Sequence, residues 1–342
     1  MCSHIFDTKR IKKKTFIINH LIPCYSKIYT KKGVDKMVDQ YTFHEMTFSW
    51  LDGPMLNTDG GTLFGPVPRA LWGRYYPYNE LNQMPSTVDP ILVQYQGMNL
   101  LIDASLGVDK LTDKMKKIAG MQSEGDIKGS LQSLGLTRED IDVVMMTHMH
   151  NDHAGGLTYL DGEDLKSTYP NATIYINEKE WDDVRNPNAR TKNTYLKENW
   201  EPIEDQVQSF SERLEVVPGI TMEHTGGHSR GHSIIRFEQN GETMLHMADI
   251  LLSFVHTNPL WVGGVDDYPM TSIQAKQKLM KEALENNYRF LFYHDPFYRV
   301  VEYTEDGKNI EYALKCSKPS PIPMSEKQDR THQVVGTLET SA

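Results

Sequence analysis

Short apolar runs closed by turn residues fill the middle of the chain, and their period decides the element. Residues 47–51 end at Asp52-Gly53-Pro54, which closes a short strand. Ile91–Tyr95 and 98–103 flank Gln96-Gly97 and predict a hairpin. The period then turns helical over 126–134, where Ile127, Leu131 and Leu134 stand at i, i+4 and i+7 and Gly135 supplies the stop. Val143, Val144, Met145 and Met146 make residues 142–147 a buried strand, followed by a strand at 173–176 and a helix over Glu178–Arg185. Residues 186–202 have no period and predict an irregular excursion. Strands return at 220–223, 233–237 and 242–247. Residues 271–286 carry the clearest helical stripe (Ile273, Leu279, Met280, Ala283, Leu284), with Thr271 and Gln274 as its capping box. A final strand, 289–293, ends at His294. Linker composition does not interrupt residues 42–315, so they predict one α/β domain with strands inside and helices outside.

The flanks differ from that body. Residues 1–41 predict a basic, disordered extension, and the polar, Pro/Ser/Thr-rich residues 316–342 a C-terminal tail. Residues 1–36 hold nine Lys/Arg against Asp7 and Asp35. Since the whole chain is −10 and this segment +7, the rest carries −17. A body so acidic disfavours nucleic acid as a partner. The apolar part of the first 25 residues is broken by Asn19, His20 and Pro23, and Met37 is a candidate natural start. The chain lacks an apolar run long enough to span a bilayer, so a membrane is not expected as a partner. Cys2, Cys24 and Cys316 are the only cysteines; this suits a cytoplasmic location without excluding secretion. It also leaves metal ligation to His and Asp.

The chemistry is concentrated in His148-Met149-His150-Asn151-Asp152-His153, at the end of a predicted strand. In extended chain, residues i and i+2 point the same way, so His148 and His150 can converge on one ion. Asp152 and His153 follow where the chain bends and can face a second. Without metal, such a cluster is costly through charge repulsion and lost hydration. Later strand ends offer further ligands: His228 and His232 in a Gly-rich turn, Asp249, and His294. A carboxylate such as Asp249 can bridge two ions about 3.5–4 Å apart.

In order and rough spacing, His148, His150, Asp152, His153, His228, Asp249 and His294 resemble the five-motif pattern of the metallo-β-lactamase superfamily. More narrowly, the chain resembles quorum-quenching N-acyl-homoserine lactonases of the YtnP type. That likeness lies in residues 49–53, 97–104, 185–188, 192–195, 199–202, 267–272 and 293–295. The resemblance implies a four-layer αββα sandwich with two Zn²⁺ at one edge. It implies His148, His150 and His228 on one zinc, Asp152, His153 and His294 on the other, and Asp249 between them. It also implies His232 as a neighbour orienting the ligands, and Asp152 as the catalytic group delivering a proton to the leaving oxygen. His224 and His246 read as local histidines. Manganese, iron or cobalt fit the same donors.

The implied reaction is ring opening of a small-molecule lactone. A phosphotriester hydrolase of the methyl-parathion hydrolase type, or a broader esterase, would use the same ligands. Trp181, Tyr195 and Trp200 are candidates to wall an acyl pocket, or equally to anchor their loop on the domain. Phe64, Trp72, Tyr75 and Tyr76 share that ambiguity, with contact to a second subunit of a homodimer as a third reading.

Overall fold

The computed structural model describes residues 38–341. The expected extension therefore lies outside the described residues, except for 38–41. Two sheets face each other. One runs in the order Asp39–Phe43, Met46–Trp50, Ile91–Tyr95, Met98–Ile102, Val143–Met145, Thr173–Asn177, Val207–Phe210. The other runs Arg213–Val217, Ile220–His224, Ser233–Gln239, Glu242–His246, Arg289–Leu291, Tyr298–Tyr303, Ile310–Lys315, Val334–Thr340.

Strand alternation explains why both sheets are apolar on both faces. Leu100, Ile102, Val143 and Met145 point inward and meet Ile235, Phe237, Met244 and Leu291 of the other sheet. Their neighbours Leu101, Val144 and Met146 point outward, under Leu131, Trp181 and Val184 of the helices Ile127–Ser133 and Glu178–Arg185. On the far side, Ile234, Leu245 and Phe290 lie under Leu279, Met280 and Ala283 of helix Pro269–Glu285. Each Val, Leu, Ile, Met or Phe among them, once buried, stabilises by about 1.5–3 kcal/mol. The result is helix, sheet, sheet, helix, as expected. Among the described residues, no helix is long and apolar enough to cross a membrane.

The long helix begins at Pro269, two residues before the expected capping box. Proline fits the first turn because its missing N–H would have had no partner there. The domain also reaches past both expected boundaries. Asp39–Phe43 is an edge strand, and residues 316–342 are not a free tail. Residues Val334–Thr340 add a parallel strand beside Ile310–Lys315, and the short helix Glu326–Asp329 precedes it. The strand escaped the sequence reading because it is an edge exposed at most positions, and Val334, Val335 and Leu338 do not alternate with polar residues. Buried charge fixes both ends. The Arg299 guanidinium, itself 1 % exposed, lies 2.6 Å from Asp39 and 2.7 Å from Asp89, and Lys318 reaches Asp89 at 2.5 Å and Asp52 at 2.9 Å.

Candidate metal centre

All seven expected ligands converge at one edge of the sandwich. Strand Val143–Met145 delivers His148 and His150, and a short helix, Asn151–Ala154, turns Asp152 and His153 toward the same point. Ala248, in the left-handed region at φ 44°, breaks the chain after Glu242–His246 and swings Asp249 inward. Gly227 (φ 102°) brings the His228 turn against helix Pro269–Glu285 so closely that a Cβ would lie 2.7 Å from the Ser272 backbone nitrogen.

His148, His150 and His228 form one group, Asp152, His153 and His294 another, and ligand atoms within each lie within 4.8 Å of one another. His228 Nε2 is 2.8 Å from His150 Nδ1, and His153 Nε2 is 3.1 Å from His294 Nε2. Asp249 stands between the groups. Its Oδ2 is 3.2 Å from His228 and 3.8 Å from His148, while its Oδ1 is 3.2 Å from His294 and 3.3 Å from His153. Asp152 Oδ2 is 3.7 Å from His294 and 3.9 Å from His153. Ligands about 2.0–2.1 Å from a tetrahedral ion are themselves about 3.3 Å apart, so these separations suit a cation at the centre of each group. His148 Nε2 and Asp249 Oδ1 are buried without a hydrogen bond, which fits atoms facing a cation.

Partners behind the rings turn the free nitrogens inward. His153 Nδ1–H donates to Asp103 Oδ2 at 2.8 Å, His228 Nδ1–H to Asp266 Oδ1 at 2.8 Å, and His294 Nδ1–H to the Thr87 carbonyl at 2.8 Å. The Thr147 hydroxyl donates to Asp103, leaving its lone pairs to accept from His148 Nδ1–H at 3.1 Å. Burial, then neighbouring imidazoles, hold His148 well below its usual pKa; burial and His228 bring His150 down to about 3. Both are neutral at pH 7. Burial opposes protonation of His153 too, but Asp249, Asp152 and Asp103 win and raise it. Burial disfavours the Asp249 anion, yet His153, His294 and His228 keep its carboxyl well below the carboxylate range.

His232 is fully buried, with Nδ1 2.9 Å from the Thr225 hydroxyl, its ring 5.5 Å from His148 and 5.8 Å from His228. It lies beside the ligands. His224 bonds the Arg230 carbonyl and stays outside the cluster. His246 stays outside too, near the Leu291 carbonyl at 3.3 Å. The aromatic candidates separate. Trp181, on helix Glu178–Arg185, is buried in the outer core edge to face with Trp200, so the pair packs the excursion onto that helix. Tyr195 is also buried, but its ring lies 5.7 Å from that of His150. Phe64, Trp72 and Tyr76 are core residues, with Tyr75 packed against them, which removes the subunit-contact reading for the buried three.

Several supporting residues were not assigned from the sequence. Asp103 ends an apolar strand as His148 does, and that position is the signal that could have found it. Tyr293 stacks on the His153 ring at 4.6 Å and donates to the Asp152 carbonyl. Asp266 lies in a loop and Glu180 in a helix, and neither has a pattern to mark it. Burial pushes the Glu180 carboxyl up, against hydrogen bonds from Ser229, Met149, Tyr195 and Gly231.

Comparison with known proteins agrees with this geometry. Residues 85–293 match the Metallo-beta-lactamase superfamily. The chain belongs to that superfamily, and the His/Asp groups of its site could hold metal ions. A probable metal-dependent hydrolase from Staphylococcus aureus superposes with a TM-score of 0.78 at 40% identity, over 82% of this chain and 100% of that one. An N-acyl homoserine lactonase of Bacillus sp is 28% identical over 47% of this chain and 60% of its own length. One of Bacillus cereus is 31% identical over 36% and 45%. The aligned part therefore spans about half the length of these two relatives. AidC, a dizinc quorum-quenching lactonase, shares the fold at 18% identity, with a TM-score of 0.65 over 78% of this chain and 93% of that one.

Proposed function

We propose that the protein is a dinuclear zinc hydrolase that opens the lactone ring of N-acyl-homoserine lactones. The observation carrying the two-ion reading is the Asp249 carboxylate, with one oxygen toward each histidine group. The cysteine-free donor set suits zinc, with His148, His150 and His228 around one ion and Asp152, His153 and His294 around the other. The lactone reading is supported by the names of the Bacillus relatives. When bound, a pair of such ions lowers the pKa of a water from 15.7 toward about 7 and offers positive charge to a developing oxyanion.

The chain's own residues do the rest. Asp103, Asp266 and the Thr87 carbonyl hold three imidazoles in the tautomer that frees Nε2. The Asp152 side chain, 38 % exposed, is the most accessible carboxylate of the set, placed to carry a proton to the departing ring oxygen. The scarce cysteine suits a cytoplasmic setting.

Product analysis of the zinc-loaded protein with lactones, esters and phosphotriesters tests this. A ring-opened acyl-homoserine as the dominant product is expected. Turnover of an aryl phosphotriester faster by orders of magnitude would overturn the lactone in favour of the methyl-parathion hydrolase type, with the metal centre unchanged.

A further inference from the structure

Glu180 stands behind the first histidine group, fully buried in the opening turn of helix Glu178–Arg185. Its carboxylate accepts four hydrogen bonds. Oε1 receives the Met149 N–H at 2.9 Å and the Tyr195 hydroxyl at 2.9 Å; Oε2 receives the Ser229 hydroxyl at 2.6 Å and the Gly231 N–H at 3.2 Å. Met149 lies between His148 and His150, and Ser229 follows His228. One side chain thus ties together the two chain segments that bring those three imidazoles to a point. Tyr195, held by the same oxygen, packs against the His150 ring. The approach is close enough to require glycine at 231, where a Cβ would lie 2.1 Å from the Glu180 backbone nitrogen.

The second group has no such tie to Glu180. His153 is held by Asp103 and His294 by the Thr87 carbonyl, from other elements. Arg230 reinforces the first group's turn from outside, through Asp183 at 2.6 Å and Asp182 at 2.7 Å. Asp182 faces solvent, where an ion pair contributes about 0–1 kcal/mol, and Asp183 is half-buried.

We propose that Glu180 is a positioning residue for one of the two metal ions: it sets the affinity of the His148–His150–His228 site and leaves the Asp152–His153–His294 site unaffected. A glutamine at 180 keeps the size but turns one acceptor into an NH₂ donor. The two hydroxyls can reverse to accept from it. The backbone N–H groups of Met149 and Gly231 cannot, so one of the two chain segments loses its anchor in either orientation.

This inference rests on the two-ion reading, which zinc stoichiometry of the unaltered protein tests separately: fewer than two ions per chain would end that reading before Glu180 is touched. The experiment is zinc affinity by chelator competition in two backgrounds. In His294→Ala, which weakens the second site, E180Q is expected to lower the remaining affinity on the order of 10–100-fold. In His150→Ala, which weakens the first, E180Q is expected to change it less than about threefold. Equal losses in both backgrounds, or none in either, overturn the proposal. If E180Q fails to fold, Tyr195→Phe and Ser229→Ala each remove one bond and keep the carboxylate. They should then show the same one-sided loss, reduced in size, and a loss falling on both sites overturns the proposal equally.

Discussion

The first sheet supplies four ligands from a single stretch of chain, His148 to His153, whereas the second supplies His228, Asp249 and His294 from three separate strand ends. The contiguous half gains convergence from local geometry: a strand end followed by one helical turn aims four side chains at once. In the dispersed half each ligand depends on the register of its strand in the sheet, and on a backbone break such as Ala248 or Gly227 to face inward. Convergence there is a property of the whole sandwich. Asp249, from the dispersed half, is the residue that joins the two groups.

The most disruptive way to break this comparison is at that joint. Asp249→Ala is expected to lose at least one ion and nearly all lactone turnover, measured by metal analysis and product formation. Two retained ions with normal turnover would mean that the halves are independent. Next is the contiguous half. Asp103 supports His153 and both the N–H and hydroxyl of Thr147. Asp103→Ala leaves His153 Nδ1 and the Thr147 N–H buried and unpaired and should cost about 3–5 kcal/mol in denaturant unfolding of the metal-free protein. In the dispersed half, His232→Ala removes a neighbour rather than a ligand, so metal affinity or rate should fall on the order of 10–100-fold without vanishing.

The smallest effect lies outside the ligands. His256 is buried against Phe64, bonded to Ser253 and to the Leu63 carbonyl, and burial, then Lys276, bring its pKa down to about 3. The unfolded chain protonates this histidine near pH 6.5, about its free value, while the native state does not. Its contribution is therefore whole above pH 6.5 and is lost as pH falls toward 3. His256→Gln should flatten the fall in melting temperature between pH 7 and 5; an unchanged slope would show that other groups carry it.

The same contrast governs what the sequence made legible. His148 to His153 could be read directly, because spacing within a strand and a turn is itself geometry. His228, Asp249 and His294 were visible only as polar residues at strand ends and needed the superfamily pattern to be joined. Most strand positions followed from short apolar runs closed by turns, as in Leu100, Leu101 and Ile102, and the four-layer order from the superfamily resemblance. The strand Val334–Thr340 did not, because on an exposed edge its apolar residues, Val335 and Leu338, face solvent and mark no buried face. Glu180 and Asp266 were hidden for a related reason: a lone buried carboxylate is defined by partners distant in sequence. Trp181 was legible as important but ambiguous, since packing and pocket lining draw on the same residue type.

The late strand has a consequence for how the molecule is made. Just before it, the Gln328 amide donates to the carbonyls of Gly73 and Tyr76, and Tyr298 donates to the carbonyl of His332. Residue 328 must therefore find a partner 255 positions earlier in the chain. Contacts of such separation form slowly, and these depend on a segment made long after its partners. Assembly of this edge is thus deferred until residues 326–340 have been made, and a chain cut before them would leave the strand Ile310–Lys315 as an uncovered edge, open to pairing with other chains.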